Sequence, residues 1–440
     1  MEQETDDSPR GSGDSGEEPR NGATKLRVIV IGGSVAGLAC AHALLKTGVC
    51  RVMVIEKARA LSGNNTGAGL GIDAAACEAM EDWGLRDELH LNSKPLDYEE
   101  NRAVDPERKV SVKLARDENF RHWAVHWGQL HRILRESLPP GIVHFNHEAI
   151  SFEDSEDGKT MLVKVVEGGS NNNLHAVKEV WGDLIVAADG SVSRTRQFYV
   201  PGDKRRYSGY CAWRGVYDYS DNPEIRESIQ KVYGDIGHCL YFDIARGSHA
   251  VLYELPGQRL NWLWYVNQPE PHLEGDSVTI PQPGKEEVAK LHKEADRTWG
   301  PELAELIRVT PDPFINAIYD KNPLKQLVFS RVVLVGDAAH PTTPHGLRST
   351  NMAIMDAHVL GKAVGKWGSR NLDSALTEYQ MKRLSATSQQ ALFSRHLGRL
   401  KQGMLFEPQG SFPWSTCDEG MVEGLLQRNM SYYQWRCYVD

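Results

Sequence analysis

No stretch of this 440-residue chain approaches the roughly 18 to 20 consecutive apolar residues that a membrane-spanning helix needs. The longest apolar runs, such as Val28 to Ile31, have the length of a strand, so no integral membrane segment is expected. Cysteine is scarce as well. The seven present are odd in number, scattered from Cys40 to Cys437, and form no CxxC pair. That leaves no disulfide framework and no zinc spacing, and it points to reduced thiols in a cytoplasmic setting. No metal is expected. Basic charge is in deficit, with 50 Lys and Arg against 59 Asp and Glu and a formal net charge of -9. A field of that sign repels polyanions and argues against nucleic acid as a partner. A small ligand fits better.

What the chain does have is the balance of a globular protein, 40% hydrophobic and 25% charged residues. Its length suits two or three domains, or one large domain with an inserted layer. Residues 1–24 carry seven acids against two arginines and read as a disordered acidic tail. Leu26 to Ile31 is a β-branched run stopped by Gly32-Gly33; a helix-period segment follows from about Val35 to Lys46, and Arg51 to Glu56 is a second strand. Together they predict a βαβ unit with parallel strands and a right-handed crossover.

Beyond it, a Gly- and Asn-rich loop (Ser62 to Gly71) precedes a short helix over about Ala74 to Trp83. A helix around Leu130 to Leu138 stops at Pro139-Pro140. The runs Met161 to Val166, His175 to Trp181 and Leu184 to Ala188 predict a hairpin-rich layer, with a turn at Ser170 to Asn173. Tyr210 to Val216, Cys239 to Ile244, His249 to Leu255 and Leu260 to Val266 form a second strand block, dense in Tyr and Trp, that reads as an all-β insertion. Leu327 to Val335 returns to a buried parallel-type strand. Helices over about Ser349 to Lys366 and Leu372 to Arg399 close the core.

The turn after the first strand carries chemistry. Gly32, Gly33, Ser34, Val35, Ala36 and Gly37 sit where a dinucleotide fingerprint belongs, after a strand and at the start of a helix. Gly32 permits the tight turn, Gly37 lets helix and strand pack closely, and the helix N-terminus favours an anion such as a pyrophosphate. Glu56, with Lys57 beside it, lies close to the expected spacing of about 20 positions for an acid that binds ribose hydroxyls. A glycine turn serving packing alone is the plain alternative, and the βαβ placement with its acid favours the nucleotide. This unit does not distinguish one dinucleotide from another.

Two more buried strands end in Asp-Gly or Gly-Asp. Leu184 to Ala188 runs into Asp189-Gly190 and then SVSRTR, and Val332 to Val335 runs into Gly336-Asp337-Ala338-Ala339-His340. An acid at the carboxyl end of such a strand lies at the rim where α/β folds bind ligands, and there it can accept from a polyol hydroxyl.

With these three motifs in this order, the chain from Leu26 to about Arg399 resembles the class A flavoprotein monooxygenases, the p-hydroxybenzoate and salicylate hydroxylase-like family. The family's FAD fingerprint matches Gly32 to Gly37, its DGxxSxxR motif matches Asp189, Gly190, Ser193 and Arg196, and its GDAAHxxxP motif matches Gly336 to His340 and Pro344. The resemblance implies an α/β fold: a Rossmann-like FAD-binding domain with a parallel sheet, an inserted antiparallel β substrate domain and C-terminal helices. It divides the chain into FAD-binding segments 25–100, 125–200 and 327–400, a substrate layer 101–124 and 201–326, and a C-terminal segment 401–440. Asp337 is then expected on the ribityl chain of FAD, and Asp189-Gly190 at the pyrophosphate and NAD(P)H. Leu130 is expected on the cofactor, and Pro344, Gly346, Leu347, Arg348 and Asn351 border the isoalloxazine ring.

The implied reaction is hydroxylation of an aromatic or heteroaromatic small molecule. NAD(P)H reduces FAD, O2 adds at flavin C4a, and the hydroperoxide transfers one oxygen to an electron-rich ring. Arg214, Tyr210 and Pro344 are the candidates nearest the chemistry, with Trp213, Trp262, Trp264 and Tyr265 as further substrate contacts. Three places depart from the family pattern. Leu347, Arg348 and Ser349 stand at its G-Q-G, Trp127 holds the place of an FAD-contacting Arg, and Ser34 replaces a glycine. An FAD reductase or epoxidase acting on a lipid or terpenoid, and a redox-inactive flavin-fold protein, are the competing readings.

Overall fold

The computed structural model describes residues 25–59, 67–105, 111–168, 177–273, 275, 277–406, 412–413 and 415–427. The expected tail 1–24, residues 62–66 of the expected loop, the turn at 170–173 and the segment 428–440 lie outside the described residues.

Apolar runs without polar interruption build the first layer. One six-stranded sheet has the order Val328–Phe329, Val332–Leu334, Leu184–Ala187, Leu26–Ile31, Cys50–Glu56, Val143–Phe145. All neighbours run parallel except the first pair. Strands covered on both faces need no alternation, which is why these were readable as continuous apolar runs. Helix Val35–Lys46 makes the expected crossover. Helices Arg348–Trp367 and Leu372–Lys401 share its core. Two local expectations change here. Leu327 to Val335 is two short strands, because Ser330 adopts φ 51° and the chain reverses there. Leu184 to Ala188 leaves the hairpin layer, which consists of His147–Asp154, Met161–Glu167 and Val177–Gly182, and pairs instead with Leu26–Ile31.

The second layer is an eight-stranded, mostly antiparallel sheet. Its order is Thr279–Ile280, Phe314–Asp320, Arg206–Asp218, Arg259–Asn267, Ser248–Leu255, Cys239–Ala245, Tyr98–Val104, Ser111–Asp117. The four aromatic strands are its centre. It is not an all-β unit: helices Pro223–Tyr233, Lys285–Thr298 and Pro301–Val309 cover one face. Trp213, Trp262 and Trp264 point into that helix-covered core, while Tyr210, Leu263 and Tyr265 lie on the opposite face. The penultimate strand Tyr98–Val104 escapes sequence reading because Glu99, Glu100, Asn101 and Arg102 are buried in it. A small fourth sheet, Gly69–Asp73, His122–His126 and Lys94–Leu96, bridges the two layers, so the end of the expected loop is a strand.

Candidate active site

The carboxyl ends of the parallel strands converge on a rim made by glycines. Gly32 adopts φ +104°, and a Cβ there would meet the carbonyl oxygen of Ala188 at 2.3 Å; a Cβ on Gly37 would meet the carbonyl oxygen of Gly32 at 1.9 Å. On the neighbouring strand end Gly336 has φ +56°, and its Cβ would come within 2.8 Å of Ala36. Only hydrogen fits at these points. The glycine loop is held from both sides: Gly33 donates its N–H to Glu56 Oε2 at 2.6 Å, and the Gly33 carbonyl oxygen lies 2.8 Å from His131 Nε2. Glu56 Oε1 takes Ala58 N–H at 2.7 Å. A carboxylate has about four lone-pair sites, so Glu56 keeps acceptor capacity for a diol. Ser34 is exposed and precedes the helix without capping it, while Lys57 is exposed beyond Glu56.

The second and third motifs are tied to each other. Arg196 is fully buried, and its Nη1 donates to the carbonyl oxygens of Ala338 and Ala339 at 3.3 and 2.6 Å, while Nε donates to Asp203 at 2.7 Å. Asp189 accepts the Ser193 hydroxyl at 2.5 Å and the Thr195 hydroxyl at 2.9 Å, which leaves Gly190, at φ +81°, against open space. Asp356, which no local signal marks, holds the Gly336 turn: it accepts Gly336 N–H at 2.9 Å, His340 Nε2 at 2.6 Å and Arg383 Nε at 2.7 Å. Burial pushes its carboxyl up, but His340 and Arg383 outweigh burial and hold it below the ordinary value. His340 is therefore a structural member of its motif. Asp337 faces a cavity and accepts the Ser349 hydroxyl at 2.7 Å. Burial raises its pKa, with Ser349 opposing.

Pro344, Gly346, Leu347 and Arg348 line the same cavity of about 770 Å³. Gly346 and Leu347 both take positive φ, 80° and 54°. The chain thus makes its turn one residue early, with a leucine in the left-handed region that glycine usually fills. Leu347 Cδ1 covers Gly71, where a Cβ would come within 2.8 Å. Asn351 fastens this turn to the small sheet, donating to the carbonyl oxygens of Gly71 and Leu347 at 2.9 and 2.6 Å and accepting Asp73 N–H at 3.1 Å. Arg348 is buried, with Nη1 3.5 Å from Asp73 Oδ2. Burial raises the Asp73 pKa and Arg348 opposes it.

The opposite wall is the inner face of the eight-stranded sheet. Arg214, Tyr253, Tyr265, His249 and His345 line the cavity. Arg214 makes no hydrogen bond or ion pair among the described residues, and its Nε is buried. The two histidines have assignable protons. Asn267 Nδ2 donates to the Gln402 carbonyl oxygen at 3.0 Å, so its Oδ1 takes the Gln402 amide at 2.9 Å, and Gln402 Oε1 is turned to His249 Nδ1 at 2.9 Å. An amide oxygen only accepts, so His249 carries its proton on Nδ1 and its bare Nε2 accepts from His345 Nε2 at 3.2 Å. His345 Nδ1 is left to accept the Tyr210 hydroxyl at 3.4 Å. Burial, with Lys401 adding, pushes His249 down to about 3; burial, then His249, Lys401 and Arg214, pushes His345 well below its ordinary value. Both are neutral. Tyr210 is fully buried behind His345 and meets the cavity only through it.

Of the other expected positions, Leu130 is wholly in the hydrophobic core, its helix presenting Trp127 to the cavity instead. Trp213, Trp262 and Trp264 face away. His345 directly follows Pro344 of the third motif, but nothing in the sequence linked it to His249.

Comparison with known proteins supplies the identity of the group this rim suits. The family described as FAD binding domain matches residues 25–231 and 274–394, more than half of the chain. The chain belongs to this FAD-binding family. A second, FAD binding domain-like family covers 207–320. The chain is 26% identical over 410 residues to 6-hydroxynicotinate 3-monooxygenase of Bordetella bronchiseptica, covering 91% of this chain and 98% of that protein. It is 27% identical to salicylate hydroxylase of Pseudomonas putida, covering 77% of each. In structure it is similar to Klebsiella pneumoniae HpxO complexed with FAD and uric acid, with a TM-score of 0.72, 22% identity, and 92% of this chain and 97% of that one covered. The protein is an FAD-dependent oxidoreductase of the monooxygenase type, and the glycine loop at the start of helix Val35–Lys46, with open space at Gly190, fits a bound FAD. No described helix is long and apolar enough to cross a membrane.

Proposed function

We propose that this FAD protein hydroxylates an aromatic or heteroaromatic small molecule bearing an anionic group, with NAD(P)H and O2 as co-substrates, in the cytoplasm. The observation that carries the reading is Arg214, a cation without a protein partner among the described residues, set in a cavity walled by Tyr253, Tyr265 and Leu263. A half-buried guanidinium without a carboxylate is partly desolvated and uncompensated, and an aromatic acid supplies the missing charge. The relatives named for salicylate and 6-hydroxynicotinate act on such acids. An apolar lipid would leave Arg214 without a counter-charge.

In this reading Gly32 to Gly37 and Asp189-Gly190 hold the pyrophosphate, Glu56 the ribose hydroxyls and Asp337 the ribityl chain. Pro344, Gly346 and Leu347 border the flavin ring. FAD, when bound, supplies the redox and oxygen chemistry. The start of helix Arg348–Trp367 and the Arg348 guanidinium set positive charge beside the place where a reduced flavin is anionic. Tyr210 is a positioning residue that acts through His345.

Flavin reduction by NADPH, followed without oxygen by loss of the visible band, tests the reading. Salicylate or 6-hydroxynicotinate should accelerate reduction, and Arg214→Met should lose most of that acceleration, raising ligand Kd about tenfold or more while FAD stays bound. No flavin after reconstitution with excess FAD, or acceleration by an apolar terpenoid alone, would overturn it.

A further inference from the structure

The strand Tyr98–Val104 has a polar core. Glu99, Asn101 and Lys401 are each fully buried. Lys401 Nζ donates to Asn101 Oδ1 at 2.7 Å and lies 3.2 Å from the centroid of the Phe242 ring, and Asn101 Nδ2 donates to Glu99 Oε1 at 2.9 Å. The other Glu99 oxygen accepts the backbone N–H of Gln427 at 2.9 Å. Leu425 and Leu426 are buried beside it. The cluster thus fastens the chain that follows helix Glu419–Glu423 onto the sheet. The fastening delivers one side chain to the cavity. Gln427 is 1% exposed and lines the cavity wall, and among the described residues neither its Oε1 nor its Nε2 has a hydrogen-bond partner.

Cross-strand register locates that amide relative to Arg214. Arg214 pairs with Leu263, Leu263 with Val251, Val251 with Phe242, and Phe242 with Asn101. Arg214, Leu263, Val251 and Phe242 all line the cavity, so they form one row across its floor, with Gln427 at the far end. Three interstrand steps span roughly 14 Å at strand spacing. A buried amide is almost always satisfied in a native protein, and one with donor and acceptor both idle at a cavity wall matches a ligand edge presenting an acceptor beside a donor.

We propose that Gln427 is a specificity-determining residue that recognises a cis N–H/C=O edge, of the lactam or carboxamide kind, on an extended aromatic substrate. The inference rests on the aromatic hydroxylase reading and deepens it. The FAD-binding family match ends at residue 394, so the contact comes from chain outside the shared pattern. A lone phenol would engage one of the two amide atoms; a pyridone-type ring engages both.

The test uses the full-length, FAD-loaded protein and follows flavin fluorescence with three probes: 2-quinolone, its isostere 2-naphthol, and salicylate. Wild type should bind 2-quinolone about tenfold or more tighter than 2-naphthol, because a lost buried hydrogen bond discriminates strongly. Gln427→Met should bring that ratio to about one by weakening 2-quinolone more than 2-naphthol. Gln427→Asn, which keeps the polarity and withdraws the amide by one methylene, should also lower the ratio and serves if the first variant does not fold. An unchanged ratio in a folded variant, or no preference in wild type that binds salicylate, overturns the role of Gln427 alone. Binding of none of the three overturns the hydroxylase reading beneath it.

Discussion

At the scale of single residues, the readable ones were those whose necessity is local. Gly37 was legible because a helix that starts one turn after a strand must let its backbone touch the preceding loop, and here a Cβ would sit 1.9 Å from the Gly32 carbonyl oxygen. Gly37→Ala should therefore cost about 1–3 kcal/mol of stability and weaken FAD retention. Urea unfolding and FAD titration check this, and a variant with wild-type stability and FAD affinity would show that the loop can give way. Arg348 shows the limit of local reading. As a departure from a family pattern it could be a drifted surface residue or a functional charge, and its burial against Asp73 excludes the surface. Leu130 went the other way. Its place in a helix start was correct, but helical rotation turns it into the core and leaves Trp127 at the cavity.

At the scale of elements, periodicity succeeded wherever burial is apolar. Strands Leu26–Ile31 and Cys50–Glu56 and the helices that pack on them were legible as runs with period 3.6 or none, whereas Leu184–Ala187 was read into the hairpin layer. The close crossing of Val35–Lys46 with Arg348–Trp367 was not, since it depends on Gly361 meeting Ala43: a Cβ at 361 would lie 2.8 Å from both the Cβ and the carbonyl oxygen of Ala43. Gly361→Val should force the helices apart at a cost of about 1–3 kcal/mol or more, seen as a lower Tm, with FAD loss following because the second helix carries the turn at the flavin edge. Unchanged Tm would mean that the crossing adjusts. Strand Tyr98–Val104 was missed for the opposite reason. Its buried side chains are charged or amide, and hydrophobic patterning cannot register a polar residue whose partner lies some 300 positions away.

At the scale of the whole molecule, the two layers meet at the His249–His345 pair, one histidine from each. Unfolded, both titrate near pH 6.5. Folded, His249 is held down to about 3 by burial and Lys401, and His345 is also held low, with Tyr210, Tyr265, Arg214 and Gln402 packed around them. Below about pH 6.5 the unfolded chain binds protons that the folded one does not, so stability should fall as the pH drops from there toward 3. His249→Gln should flatten that fall. Unfolding free energies of the parent and variant at pH 7 and pH 5 measure it, and equal losses in both would remove His249 from the account.

By itself the sequence determined the nucleotide-binding βαβ unit, the two further strand-end motifs and the aromatic strands, because each is specified by neighbours within a turn or a strand. Only the tertiary structure decided which aromatics face the cavity, that His249 shares its proton arrangement with His345, and that Gln427 reaches the site. Those depend on polar groups buried by partners distant in the chain, and a desolvated polar group is stable only where the fold brings its partner to it.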